Sequence, residues 1–415
     1  MDRKTRISWA LYDWGNSAFA TTVMAGFFPV FFKEYWASDL SATDSTFWLG
    51  LGNSVASVLM VLFAPLIGAL ADQGGSKKRF LLLFAFLGAL MTSSLFLVST
   101  GMWQVALALY GLGIVGFSGS IVPYDALLVD VAEEKNLDKV SALGYAFGYL
   151  GGGLLFAVNV WMVLNPGLFG LEDAGQAVRI SFLMVGLWWA VFSIPLMLFV
   201  HEKNPRPASK HILRNAVREI AENLREVRRF RMVALFLLSY WLYIDGVDTI
   251  VRMAVDYGLA IGLESSGLLT ALLITQFVGF PAALLFGHIG ANHGPKKGIM
   301  IALVVYILIV LWAWRMQSMW EFYALAVAIG LVQGGIQSLS RSLYARLIPP
   351  DRAGMFFGVY NMLGKFAAVI GPLLVGGVTV LSGDSRMGIL SVLVLFVAGF
   401  LVLQRVDPHA NGELK

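Results

Sequence analysis

Gly68-Ala-Leu-Ala-Asp72-Gln-Gly-Gly75-Ser-Lys77-Lys78 returns 219 residues later as Gly287-His-Ile-Gly-Ala291-Asn-His-Gly294-Pro-Lys296-Lys297. The Gly, aliphatic, Gly, Lys and Lys positions coincide, and each copy lies between two long apolar runs. A basic, glycine-punctuated turn that recurs once in each half of the chain points to a duplicated bundle of membrane helices.

Composition agrees. Hydrophobic residues make up 58% of the 415 residues and charged ones 13%, against roughly a quarter charged in soluble domains. Mean hydropathy is +0.74. The chain therefore reads as a polytopic membrane protein. It has no cysteine, which excludes disulfides, thiolate nucleophiles and thiolate metal sites. The net charge of +4 follows membrane topology and forms no basic face, so no nucleic-acid partner is expected. Arg3, Lys4 and Arg6 precede an apolar run as in a signal peptide. That run continues to Phe32, contains Asp13 and has no small-residue cleavage site, so an uncleaved first helix is expected.

A spanning helix needs about 20 mostly apolar residues. Twelve such segments are predicted, over Ile7–Phe32, Phe47–Leu70, Phe80–Ser99, Trp103–Val122, Ser141–Leu164, Ile180–Val200, Met232–Ala254, Ser266–Ile289, Gly298–Trp314, Trp320–Arg341, Gly354–Leu381 and Met387–Leu403. With both termini in the cytosol, Arg3, Lys4, Arg6, Lys77, Lys78, Arg79, Lys135, Lys139, Lys296, Lys297, Arg346, Arg352 and Arg405 lie inside. Lys33, Arg179, Arg315 and Arg386 lie outside. The positive-inside rule selects this orientation, which implies the cell (inner) membrane if the protein is prokaryotic.

Three regions follow: an N-terminal six-helix bundle over 1–200, a cytosolic linker over 201–231, and a C-terminal bundle with a short tail over 232–415. After Asn204-Pro-Arg-Pro207, the linker sets Ile212, Ala216, Ile220, Leu224 and Val227 at helical spacing among Arg214, Arg218, Arg225, Arg228 and Arg229. That is the pattern of an amphipathic helix held to anionic headgroups. Internal repetition extends beyond the turns: Ser8-Trp-Ala-Leu-Tyr12-Asp-Trp-Gly15 aligns with Ser239-Tyr-Trp-Leu-Tyr243-Ile-Asp-Gly246. Parallel six-helix repeats about an axis normal to the membrane place a binding site between the repeats.

The pattern Gly-x-Leu-x-Asp-x-x-Gly-x-Lys between the second and third segments resembles the signature of the major facilitator superfamily. Trp9-Ala-Leu-Tyr-Asp-Trp-Gly-Asn-Ser-Ala-Phe19, Leu242-Tyr-Ile-Asp-Gly-Val-Asp-Thr249, Ser338-Leu-Ser-Arg-Ser-Leu-Tyr-Ala-Arg-Leu-Ile-Pro349, and Phe356-Phe-Gly-Val-Tyr360 followed by Gly371-Pro372 resemble its vacuole-effluxer-like branch, which is named for a fungal vacuolar amino-acid exporter. The resemblance runs through both halves. It implies an all-α fold of twelve helices in two pseudo-symmetric bundles, alternating access, export of small solutes, and a cavity lined by helices 1, 4, 7 and 10. It also implies that Gly68, Asp72, Gly75, Lys77 and Lys78 latch the outward-facing state. The second copy carries Ala291 in place of the aspartate, so one strong latch is expected. Two positions depart from the branch's pattern: Met355 stands where relatives often have an acidic residue, and Asp125 where an Asn is common.

Polar residues inside the apolar segments carry the functional expectation. A mid-bilayer charge costs at least about 2.5–3.5 kcal/mol on insertion scales, so such groups meet a partner or a water-filled path. In the seventh segment Asp245, Asp248, Thr249, Arg252 and Asp256 fall within about 100° of one helix face. Tyr12, Asp13, Asn16, Ser17 and Thr21 form a similar stripe in the first, Gln333, Gln337, Arg341 and Tyr344 in the tenth, and Asn361 and Lys365 in the eleventh. Asp125 sits at the inner end of the fourth. Structural alternatives stand beside these: Asp248 with Arg252, or Arg252 with Asp256, also fits a neutralised pair. Counting from Ile7 places Asp13 about 9 Å deep, whereas the repeat alignment beside Asp245 implies mid-depth, which is the expectation adopted. Lys365 is far from both ends of its segment and is expected to face the cavity.

Other chemistries lack their residues. His201, His211, His288, His293 and His409 lie in loops or tails without a third ligand at metal spacing, and no phosphate-binding loop is present. Neither a metal, a cofactor nor an enzymatic activity is expected. The resulting expectation is a monomeric, proton-coupled or facilitative exporter of small zwitterions such as amino acids, embedded in the lipid bilayer. Asp13 and Asp245 would be its proton or amine contacts, Arg341 and Lys365 its anion contacts. Export of lipids or of hydrophobic or cationic compounds is the alternative within the transporter class. A membrane-embedded enzyme and a non-transporting receptor are the alternatives outside it.

Overall fold

The computed structural model describes residues 2–73, 76–202, 230–263 and 265–408. Gly75, nearly all of the expected amphipathic linker, and the side chains of Arg252 and Asp256 lie outside the described residues. Twelve helices among those described are long and apolar enough to cross a membrane. They are α1 (Arg3–Trp36), α2 (Ala42–Gln73), α3 (Lys77–Leu97), α4 (Trp103–Ala126), α5 (Leu137–Leu164), α6 (Ala174–Phe199), α7 (Arg231–Ala260), α8 (Ser265–His293), α9 (Pro295–Arg315), α10 (Met319–Leu347), α11 (Ala353–Ser382) and α12 (Ser385–Gln404).

Several helices run a turn or more beyond their apolar cores, because local chemistry continues them into the polar flanks. Asp2 accepts from the Lys4 N–H to start α1, Ser76 caps α3 through the Arg79 N–H, and Ser318 with Glu321 forms a reciprocal capping box at α10. Gly294 turns α8 into α9 at φ +87°, a conformation that costs a side chain dearly, and Pro295 then occupies the first helical position.

Apolar surface does not drive association between helices when the solvent is itself apolar, so close packing of small residues takes over. Large side chains such as Leu83, Leu97, Leu187, Leu373 and Val380 point outward, where lipid replaces water. Inside, Gly148, Gly151 and Gly152 of α5 lie against Ser17, Trp14 and Thr21 of α1, and Gly116 of α4 lies against Gly88 of α3. Glycines on α5 therefore serve close packing.

The two halves repeat one another. α1 packs on α5 and α6, and α7 packs on α11 and α12. Gly15 backs onto Trp189 of α6 while its repeat mate Gly246 backs onto Phe396 of α12. Across the divide, α2 meets α11, α4 meets α11, and α5 meets α8 and α10. The hydrogen bonds that join the halves fall at the end carrying the α2–α3 and α8–α9 turns, the basic end, and reach to mid-depth at Gln276 and Thr21, 3.4 Å apart.

Candidate substrate and coupling site

Arg341 is the centre of this junction. It lies on α10 six residues before Leu347, is 2% exposed, and crosses from the C-terminal half into the N-terminal one. Its Nη1 donates to Asp125 Oδ1 at 3.0 Å and stands 3.9 Å from Asp13 Oδ2. Nε donates to Ser141 Oγ at 2.9 Å, and Nη2 to the Ser141 carbonyl at 2.8 Å. The guanidinium also sits over the rings of Tyr145, Trp9 and Tyr124, at 4.4, 5.0 and 5.4 Å. Planar delocalised charge suits both the aromatic faces and the divergent acceptors.

The carboxylates are held unequally. Asp125 accepts from Arg341 on one oxygen and from Asn361 Nδ2 of α11 on the other, at 3.0 Å. Asp13 receives one hydrogen bond, from the Tyr124 hydroxyl at 3.0 Å. Gly144 makes room for that pair, because a Cβ there would meet both the Tyr124 hydroxyl and Asp13 Oδ2. Trp9 stacks on Tyr124 at 4.4 Å, and its indole N–H donates to the Tyr124 carbonyl. Two carboxylates thus share one guanidinium in a nearly dry site.

Of the residues expected from sequence, Asp13, Asp125, Arg341 and Asn361 converge here. Tyr12 is fully buried and leans on Tyr124; Asn16 is buried one turn further along α1. Gln337 accepts from Tyr149 of α5 at 3.3 Å, so it too bridges the halves. Lys365 lies one turn beyond Asn361, its Nζ 6.0 Å from the Phe117 ring of α4. That contact points it toward the opposite half.

Three expectations need correction. Asp13 is not at mid-depth: it is level with Asp125, the penultimate residue of α4, and with Arg341 near the end of α10. The direct count of residues was the better guide, because the repeat aligns backbone positions and not the charges on them. Arg341, expected as an anion contact, is committed to protein carboxylates in this conformation. Asp245, 1% exposed, accepts the Gly371 N–H of α11 at 2.9 Å. It faces a helix of its own half, whereas Asp248 is half-buried. The stripe on α7 is therefore wider than the cavity wall.

The turn residues Gly68 and Asp72 do join the halves. Asp72 accepts the Gly354 and Met355 N–H groups at 3.1 and 2.9 Å, so its carboxylate caps α11 where the backbone donors and helix dipole favour an anion. A Cβ on Gly68 would overlap the Gly354 carbonyl. Lys77 pairs with Asp130 at 2.9 Å, and Lys78 donates to the Val200 carbonyl, both within the N-terminal half.

Besides Asp72, a second carboxylate joins the halves. Asp138 in the first turn of α5, 1% exposed, accepts from Ser342 Oγ at 2.6 Å and Arg346 Nη2 at 2.7 Å. Gly287 and Gly290 of the second turn lie against this same stretch. The carboxylate at this contact stands on α5 and not on the α8–α9 turn. Asp138, Ser141, Tyr145 and Arg346 were not anticipated as site residues. The charged ones look like ordinary cytosolic charges in sequence, and their only signal was position within the repeated junction.

A model of the family described as "Vacuole effluxer Atg22 like" matches residues 40–412. The chain belongs to that family. This Atg22-like protein is 36% identical to the MFS-type transporter YxiO of Bacillus subtilis (strain 168), over 99% of its own length and 96% of that protein's. It is 25% identical to autophagy-related protein 22 of Yarrowia lipolytica (strain CLIB 122 / E 150), covering 69% of this chain and 54% of the fungal one. In fold it resembles the human organic anion transporter MFSD10, with TM-score 0.74 at 16% identity over 97% of this chain and 100% of that one. It also resembles the major facilitator FucP in its outward conformation, with TM-score 0.73 at 13% identity over 98% and 99%. The Atg22-like protein is accordingly a multi-pass major facilitator transporter and not an enzyme.

Proposed function

We propose that this transporter exports small zwitterionic solutes, amino acids foremost, by alternating access coupled to protons. The observation that carries the reading is the mixed-sign junction between halves, with Asp13 and Asp125 facing Arg341, and with Lys365 of α11 turned toward Phe117 one turn beyond Asn361. A zwitterion leaving water needs an opposite charge for each end, and this region supplies both signs. Asp13 and Asp248 are the carboxylates offered to an amine or a proton; Lys365 is the cation offered to a carboxylate, with Arg341 available only once the junction opens. Tyr12, Asn16, Gln337 and Asn361 supply neutral hydrogen bonds.

Positive-inside bias supports cytosolic termini and a cytosolic basic end, which makes this conformation closed to the cytosol. Residues 1–200 and 232–415 would then rock about the junction, with residues 201–231 tethering them at the membrane surface. The protein would work as a monomer, in the cell membrane if prokaryotic.

The test is flux of radiolabelled neutral amino acids in proteoliposomes under an imposed pH gradient. Accumulation that collapses with a protonophore is expected. Gradient-independent equilibration would leave facilitated transport, and no flux of any amino acid would remove the substrate assignment.

One observation favours export of hydrophobic compounds as the second reading. A cavity of ≈ 80 Å³ lies between α7, α8, α9, α10 and α12, lined almost wholly by apolar side chains, with Thr275 and Gln333 the polar exceptions beside Tyr257. Competition by a hydrophobic cation, lost when Ile250→Trp fills the cavity, would select that reading.

A further inference from the structure

We infer that Asp13 is the residue that carries the coupled proton, and that its charge controls closure of the basic end through Arg341. The inference rests on the proton-coupled reading above and narrows it from several carboxylates to one. It starts from charge counting: Asp13 and Asp125 contribute two negative charges against the single positive charge of Arg341. Unlike charges buried together neutralise only in equal number, so the cluster has one negative charge in excess, in surroundings that penalise it.

The geometry says which carboxylate takes the proton. Asp125 has both oxygens engaged, by Arg341 and Asn361. Asp13 holds one hydrogen bond, from Tyr124, and stands beyond hydrogen-bond distance of the guanidinium at 3.9 Å. A protonated Asp13 keeps a carbonyl oxygen that can still accept from the Tyr124 hydroxyl, so the contact survives protonation. The titratable groups around Asp13 are Tyr12 on its own helix, Tyr124 and Asp125 from α4, Tyr145 and Tyr149 from α5, and Arg341 from α10. Asp248 of α7 lies within electrostatic reach of Tyr145 and Tyr149. α6 presents Trp188, Trp189 and Phe192 to this stretch of α1, none of them titratable.

Coupling follows from which partners move together. Asp13 and Asp125 belong to the same half, so their mutual repulsion survives any rocking. Arg341 belongs to the other half and leaves when the basic end opens. The attraction of Asp13 for Arg341 is therefore the part that depends on conformation, and it favours closure only while Asp13 is ionised. Neutralising Asp13 weakens closure; Arg341 keeps Asp125 until the halves separate. Asp245 accepts from the Gly371 N–H within its own half.

The sequence contains no cysteine, so Arg79→Cys and Lys297→Cys, both exposed at the basic ends of α3 and α9, give a clean spin-label pair across the halves. In the full-length protein reconstituted in nanodiscs, acidification should raise the long-distance population, by at most about tenfold in the open-to-closed ratio per pH unit for one proton. Asp13→Asn should hold the acid-like distribution at every pH. Asp13→Glu and Asp245→Asn should both still titrate, and monodisperse elution of each variant excludes misfolding. An Asp13→Asn protein that titrates like the parent overturns the assignment to Asp13 alone. A parent whose distances ignore pH, with no gradient-driven accumulation, overturns the proton-coupled reading beneath it.

Discussion

Arg341 makes three hydrogen bonds to the opposite half, and that makes it the residue whose loss should be felt most. Removing one partner of a buried ionic cluster costs about 3–5 kcal/mol, because the remaining charges stay buried without compensation. Arg341→Ala should therefore lower the thermal unfolding temperature sharply, measured by intrinsic fluorescence in detergent. Arg341→Lys should recover only part, since a point charge serves neither Ser141 nor the three aromatic faces. The double variant Arg341→Ala with Asp125→Ala should be less destabilised than the sum of the single changes, with an interaction term of about 0.5–3 kcal/mol. Strict additivity would mean that the pair is not coupled. At this scale much was legible beforehand: a charge within an apolar segment is costly enough to identify itself, which is why Asp13, Asp125 and Arg341 were found. Their partnership was not legible, because a contact between residues 125 and 341 is created by the packing of two halves. Asp138 and Arg346 were hidden for the opposite reason, being charges near a helix end where charges are ordinary.

Between elements, the α2–α11 and α5–α10 contacts do the same work with different chemistry. Asp72 caps α11 from another helix, so Asp72→Asn should keep the shape while losing the charge that favours a helix N-terminus, worth about 0.3–1 kcal/mol when exposed and up to about 2 in partly buried geometry. Opening of the basic end, read by the label pair at 79 and 297, should increase modestly. Asp138→Asn should add to it, since Asp72 holds α11 and Asp138 holds α10. Gly68→Ala is the steric counterpart: its Cβ would overlap the Gly354 carbonyl, and overpacking of this kind typically costs about 1–3 kcal/mol. Gly111→Ala, where an added Cβ meets nothing within 4 Å, is the neutral control. Equal behaviour of the two glycine variants would show that α2 and α11 do not approach as closely in solution. The repeated turn pointed to the Asp72 contact. The Asp138 contact was obscured because Ala291 stands at the equivalent place in the second turn, while the carboxylate there is on α5.

For the whole molecule, the sequence disclosed the duplication and the twelve crossings because hydropathy and a repeated turn are linear signals. The conformation is not linear, and only the placement of Arg341, Asp72 and Asp138 shows the basic end to be closed. What passes through the cleft depends on the charges that line it. Lys365 is the informative one: it lies beyond the Asp125–Asn361 contact, half-buried and aimed at Phe117 of the other half, where a solute between the halves would meet it. Its ammonium would attract a carboxylate and repel a cation. Lys365→Ala should therefore weaken binding of amino-acid-like zwitterions by about tenfold, the loss of roughly 1.4 kcal/mol expected for one charge-assisted hydrogen bond. Residual binding of a hydrophobic cation should stay the same or improve. Isothermal titration of the purified transporter with a panel of neutral amino acids and one quaternary ammonium compound separates these outcomes. Unchanged zwitterion binding together with tighter cation binding would move the substrate from the charged junction to the apolar cavity between α7, α8 and α10, and with it the class of compound exported.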